Sequence, residues 1–215
     1  MALSDDVFAA IVAHLAQELG DAASARQLAE MLRDDALTWH ARTIEPGRIA
    51  TILGFTFGNR MLANGNRLPG PVNEALADIA VRLHAQSGAR IIAQWEVAEA
   101  IGARVPAALV TAVHPARDER AEPRYLSTSG VIEQIVREAG DPARLGVVGI
   151  VAFADHARRC TDTARRFGLD AHVPAGYALP RDYDAQSGQP WCRSRLAYLM
   201  HDLAIAAAER RDRLA

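Results

Sequence analysis

Val147-Val148-Gly149-Ile150-Val151-Ala152-Phe153-Ala154-Asp155-His156-Ala157-Arg158-Arg159-Cys160 is the stretch that decides the fold. An almost wholly apolar run of strand length breaks into Asp-His-x-x-Arg and then takes up helical spacing. A run without polar alternation predicts a strand buried on both faces, as in a parallel sheet covered by helices. Ligands collect in such sheets where strand ends meet helix N-termini. Asp155, His156 and Arg159 arrive together at that edge.

Outward from this stretch the same alternation repeats. Ile49–Phe55, Arg90–Gln94, Ala107–Val113 and Leu169–Val173 read as further strands. Helices are predicted over Val72 to about His84, with Ser87-Gly88 as its stop, and over Trp95 to Ile101. Another has Ile132, Ile135 and Val136 as its apolar face, and the one after Asp155 runs to Phe167 with Gly168 beyond it. A long helix is predicted from about Trp191 onward, whereas Gly58 to Pro71 and Ala116 to Pro123 read as loops.

Two helices precede the alternating part. Ser4 caps the first, with Val7, Ile11, Val12 and Leu15 on one stripe and Gly20 as its stop. The second runs from Ala23 to about His40 through Leu28, Met31, Leu32, Leu37 and Trp39, ahead of the breaker Glu45-Pro46-Gly47. The expected architecture is α/β: a Rossmann-like three-layer sandwich with a mostly parallel sheet over 46–215 and an N-terminal helical extension over 1–45. The extension is expected to pack on a sheet edge or on a second subunit, as in a homodimer.

The chain has 215 residues, 50% of them hydrophobic, which suffices for one sizeable core with a small appendage. A net charge of −2 gives no electrostatic basis for binding nucleic acid or an anionic membrane surface. No apolar run reaches the roughly 18–20 residues that span a bilayer, and the acidic start is unlike a signal peptide. A cytoplasmic setting is therefore expected, with no membrane and no nucleic-acid partner. Cys160 and Cys192 match no metal spacing; two reduced thiols are expected, with a disulfide as the alternative.

Four more loops should share the edge of the Asp155 corner. Gly54, Thr56, Gly58 and Asn59 follow the first strand, where glycines let backbone N–H groups approach an anion or serve turn geometry alone. Trp95 offers a ring for stacking or for the core, and Glu96 an acid, a base, a ribose contact or a first-turn charge. Ser127, Thr128 and Ser129 open a helix ahead of Glu133, as caps alone or as caps that also touch a ligand. Ser187, Gln189 and Arg193 lie in a polar loop rich in hydrogen-bonding groups. At the corner itself His156 suits general acid–base work, Arg159 forks onto a phosphate or carboxylate, and Asp155 caps the helix or fixes the His tautomer. Asp155, Glu96 and Glu133 would hold Mg²⁺ only if the fold gathered them, so no metal site is assigned.

These segments resemble the bacterial YdcF/SanA/ElyC-like domain family. The run Val147–Arg159 is similar to its S-x-x-H-x-x-R-A segment, the Gly54 loop to its early glycine segment, and Ser127-Thr128 with Glu133 to its S-x-x-T-x-E-N segment. The likeness spans Ile49 to Leu203. Departures are a glutamate one residue late, Gln134 in place of Asn, Gly130 in place of Thr, and Gly54-Phe55-Thr56-Phe57-Gly58 in place of a double glycine. The resemblance implies a Rossmann-like parallel sheet and S-adenosylmethionine as a candidate ligand, with no established reaction and the cofactor otherwise unknown. Some members are tied to the cell envelope by a membrane anchor, for which no apolar run here is long enough.

The expected function is that of a small-molecule enzyme acting on a nucleotide or other phosphorylated or anionic metabolite by hydrolysis or group transfer. The residues for it are His156, Asp155 and Glu96. The alternatives are a non-catalytic nucleotide- or S-adenosylmethionine-binding regulatory module and an oligomeric interaction protein.

Overall fold

The computed structural model describes residues 4–37, 41–115 and 126–212, and divides the chain into two units, 1–40 with 194–215 and 41–193. Trp39, His40, Tyr125 and the predicted loop 116–123 lie outside the described residues.

Helix α1 spans Asp5–Leu19 and α2 spans Ala22–Met31. The Ser4 hydroxyl caps α1, and Gly20 ends it with positive φ. The pattern predicts that the second helix continues to His40. Instead α2 ends at Met31 and the chain widens into a π-helical turn over Leu32–Leu37.

The second unit holds β1 (Thr43–Ile44), β2 (Thr51–Gly54), the two short strands β3 (Arg60–Met61) and β4 (Arg67–Leu68), and α3 (Pro71–Ser87). Then come β5 (Arg90–Gln94), α4 (Trp95–Ile101), β6 (Val110–Val113) and α5 (Thr128–Ala139). Last are β7 (Val147–Val151), α6 (Ala154–Arg166) and β8 (Asp170–Pro174). The final helix, α7 (Arg195–Asp212), groups with α1 and α2 in the first unit. It starts later than Trp191, which lies in a 3-10 turn over Pro190–Cys192.

Six strands form one parallel sheet in the order β1-β8-β7-β2-β5-β6. β2 is buried along its whole length and β7 beyond its first residue, as their unbroken apolar runs require. From β2 the chain steps outward to β5 and β6, then returns to the other side of β2 for β7 and β8. Right-handed crossovers put helices of opposite steps on opposite faces. Accordingly α3 packs with α4, and α5 with α6. The architecture is the expected three-layer α/β sandwich, and the large sheet is parallel throughout.

Three elements differ from expectation. β1, too short to show a period, pairs with Val173 and Pro174 at the sheet edge. The predicted strand over Ala107–Val113 begins only at Val110, after a 3-10 turn. The loop from Gly58 to Pro71 folds back as the antiparallel hairpin β3–β4.

The order reverses between β2 and β7, and this is where open α/β sheets leave a crevice at their C-terminal edge. The chain leaving β2 still pairs with β7 through Phe55 N–H to the Val151 carbonyl (2.9 Å). Beyond that it depends on Asn73 in the first turn of α3, which is wholly buried. The Asn73 Oδ1 accepts from the Thr56 hydroxyl (2.8 Å) and the Phe57 N–H (2.9 Å). Its Nδ2 donates to the carbonyls of Gly58 (2.8 Å) and Pro69 (2.6 Å). Asn73→Ala strands those buried groups and should cost about 2–4 kcal/mol in urea unfolding. A loss below about 0.5 kcal/mol, the scale of neutral surface changes, would show that packing alone holds the loop.

Candidate functional site

The loops after β2, β5 and β7 meet at the crevice, joined by the segment 184–193. Residues 55–59 sit at its centre and turn to alternate sides. Phe55 and Phe57 place their rings against His156, with centroids 6.4 and 6.2 Å away. Thr56 turns the other way, its N–H donating to Gln94 Oε1 (3.0 Å) and its hydroxyl to Asn73.

On the α6 side, His156 lies buried in the first turn of the helix. Arg159 is one turn on, and its Nη2 is 3.3 Å from His156 Nδ1. A guanidinium has only donors, so Nδ1 is the acceptor and the ring proton is assigned to Nε2. His156 is thus presented as an N–H donor, with its tautomer fixed by Arg159. Of the roles open to Asp155, helix capping is not the one it takes. The N-cap position is Phe153, without a side-chain cap, and Asp155 Oδ2 accepts from the Tyr183 hydroxyl (2.8 Å). Phe153 stacks on Phe57 (centroids 3.9 Å, planes 11° apart), and Tyr183 meets Phe153 edge-on at 4.6 Å.

On the α4 side, Glu96 is only 5% exposed, and its Oε2 has no hydrogen-bond partner. Burial pushes its carboxyl from the ordinary 4.5 up to about 7. Its own backbone N–H, the neighbouring Asn59 and Thr56 side chains and the Arg67 charge act in the opposite direction. Trp95, the first residue of α4, is half-buried rather than in the core.

Gly54 and Gly58 have protein neighbours where an approaching anion would need space. A Cβ at Gly54 would meet the Ala93 Cβ at 2.8 Å. Gly58 has φ +75° and would drive a Cβ into the Ser187 hydroxyl. Ser187 is buried, and its Oγ accepts from the Gln189 N–H (3.2 Å). Arg193 is exposed and its Nε donates to the Ser187 carbonyl (2.7 Å), so it ties the loop together. The Gln189 side chain accepts from the Cys192 thiol (3.5 Å). Neither cysteine is in a disulfide and both are buried, and burial pushes the Cys192 thiol up to about 12, which leaves it unreactive.

Ser127, Thr128, Ser129 and Glu133 open α5, which follows β6, two strands from β2 in the sheet. Ser127 is the cap, accepting from the Gly130 N–H (3.1 Å), so the capping-box position holds glycine; Glu133 is exposed on the next turn. Among the described residues, no group of three or more His, Cys, Asp or Glu is placed to hold a metal ion. No described helix is long and apolar enough to cross a membrane.

Asn73, Tyr183, Phe57 and the Arg60–Asp184 pair were not singled out by sequence. Arg60 contacts Asp184 with two hydrogen bonds (2.9 and 3.1 Å) and holds its carboxyl below the usual range. The signal for Asn73 was an amide on the otherwise apolar stripe of Leu76, Ala77, Ala80 and Leu83. Compared with protein-family models, curated proteins and solved structures, the chain matches none.

The raised Glu96 pKa makes stability depend on pH. Between 4.5 and about 7 the folded state holds this proton more tightly than the unfolded chain does. The contribution is therefore full below 4.5 and is lost as pH rises through about 7. Glu96→Gln, which cannot ionise, should gain on wild type over that window by about 3 kcal/mol, measured as urea unfolding at pH 4.5 and pH 8. A difference that stays constant with pH would mean that Glu96 ionises normally.

Proposed function

We propose that this chain is an enzyme that binds a small anionic metabolite, such as a nucleotide or another phosphorylated compound, and acts on it by hydrolysis or group transfer. The observation that carries this reading is the His156–Arg159 pair in the first turns of α6, beside the reversal in sheet order. Helix α6 begins without a side-chain cap, and the positive end of its dipole favours an anion there. Arg159 supplies charge and planar donors for a phosphate or carboxylate. His156, with its ring proton on Nε2, donates a hydrogen bond to the oxygen on which negative charge develops. Asp155, tied to Tyr183, is the carboxylate of the same turn.

Redox chemistry on a dinucleotide has less support, because the glycine fingerprint for it is missing. A cytoplasmic setting agrees with two buried thiols that form no disulfide. The resemblance to the YdcF/SanA/ElyC-like domains adds S-adenosylmethionine to the ligands worth testing. A regulatory module would use the same anion contacts without needing His156 to stabilise developing charge.

A thermal-shift panel of nucleotides, sugar phosphates and S-adenosylmethionine tests the reading. A true ligand at a hundredfold excess over Kd should stabilise by about 2.7 kcal/mol. Arg159→Ala should lose that response, whereas His156→Ala should keep binding and lose turnover. The reading fails if no anion shifts the melting temperature, or if Arg159→Ala responds like wild type.

A second reading adds a homodimer face on the helical unit. It is favoured by α1, which buries none of its residues, with Val7 and Leu19 exposed. Leu19→Glu in the full chain should then lower the mass seen by light scattering; a mass unchanged from a monomeric wild type removes this reading.

A further inference from the structure

Glu96 takes no part in the anion contacts of α6, yet its Oε2 is buried without a hydrogen-bond partner. A buried carboxylate oxygen without a partner is rare in native proteins, and its desolvation is uncompensated until something donates to it. Water does not reach Oε2, and the groups around it are polar. The Asn59 and Thr56 side chains flank the carboxyl, and Arg67 of β4 adds a positive charge. Asn59 is itself buried.

This setting restricts what Oε2 can receive. An anion is repelled by the carboxylate, and an ammonium or guanidinium would have to share the place with Arg67. A neutral hydroxyl meets neither objection, and it supplies the donor that the oxygen lacks. The Asn59 amide can both donate and accept, so it suits a second hydroxyl beside the first.

The same loop fixes the distance to the anion contacts. Thr56 flanks Glu96, while Phe57, the next residue, touches His156 with ring centroids 6.2 Å apart. A ligand that touches both places must carry an anionic group and a hydroxyl-bearing group side by side, as a phosphorylated sugar does.

We infer that Glu96 and Asn59 form a subsite for the vicinal hydroxyls of a sugar, and that the ligand is a sugar phosphate or ribonucleotide rather than a bare phosphate or a simple carboxylate. The inference rests on the anion site proposed above and adds the second half of the ligand. The β3–β4 hairpin, which carries Arg67, pairs through only two residues on each strand.

Titration calorimetry on the full chain tests this with two pairs of probes: ribose 5-phosphate and AMP, each against its 2,3-dideoxy counterpart. At pH 8, where the Glu96 carboxyl is ionised, wild type should bind the diol member of a pair roughly tenfold or more tightly, the range of a hydrogen bond to a charged group. Glu96→Ala should bring the two members within about twofold by lowering only the affinity for the diol. Glu96→Gln keeps the side-chain shape and should fall between, which separates lost recognition from lost folding. Equal binding of both members by wild type, or a preference that survives Glu96→Ala, overturns the subsite while the anion site stands. If neither pair binds, the subsite and the anion site fall together.

Discussion

The crevice depends on one buried amide. When β2 ends, the backbone of residues 56–58 has left the ladder but remains inside the protein, where its polar groups need partners. From the first turn of α3, Asn73 pairs the Phe57 N–H and the Gly58 carbonyl, and it also binds the Thr56 hydroxyl and the Pro69 carbonyl. An extended segment held in this way must send alternate side chains to opposite sides. Phe55 and Phe57 therefore reach His156, while Thr56 reaches the group around Glu96. Both halves of the candidate site hang from the conformation that Asn73 imposes.

The segment 184–193 completes the enclosure through close fit more than through charge. Gly188 donates its N–H to the Asn59 carbonyl (2.6 Å), and a Cβ there would meet Met61 at 2.8 Å. Ser187 fills the space that any residue other than glycine would need at position 58. The pair of a half-exposed Arg60 side chain and a largely buried Asp184 side chain anchors the start of the segment with bidentate geometry. The consequence is electrostatic. Water is kept from Glu96 and Cys192, and both are pushed towards their neutral forms.

Local elements were legible in the sequence where a period or a cap repeats. The bounds Arg90–Gln94 and Trp95–Ile101 agree with β5 and α4, and Gly20, Gly88 and Gly168 have the positive φ expected of helix stops. What could not be read depends on partners distant in sequence. β1 is two residues long and becomes a strand only by pairing with β8. Asp155 before a helical run has the look of a cap, but Tyr183 claims it from a loop 28 residues away. The glycines after β2 fit a phosphate loop by sequence, and only packing reveals Ala93, Ser187 and Cys192 in the space beside them. Asn73 stood on an apolar stripe, and its four bonds become visible only when the β2 loop is laid over it.

Sheet order then decides which predicted residues can act together. The neighbours of β2 are β5 and β7, so the helices that follow those strands begin beside the β2 loop. This puts Glu96 at the start of α4 and His156 at the start of α6 on either side of one short segment. The hydroxyl-rich start of α5 follows β6, which β5 separates from β2. It shares the edge of the sheet but not the reversal. The Asp-His-x-x-Arg corner is therefore one flank of a crevice whose other flank is Glu96, and the loop between them determines how long a ligand must be to touch both.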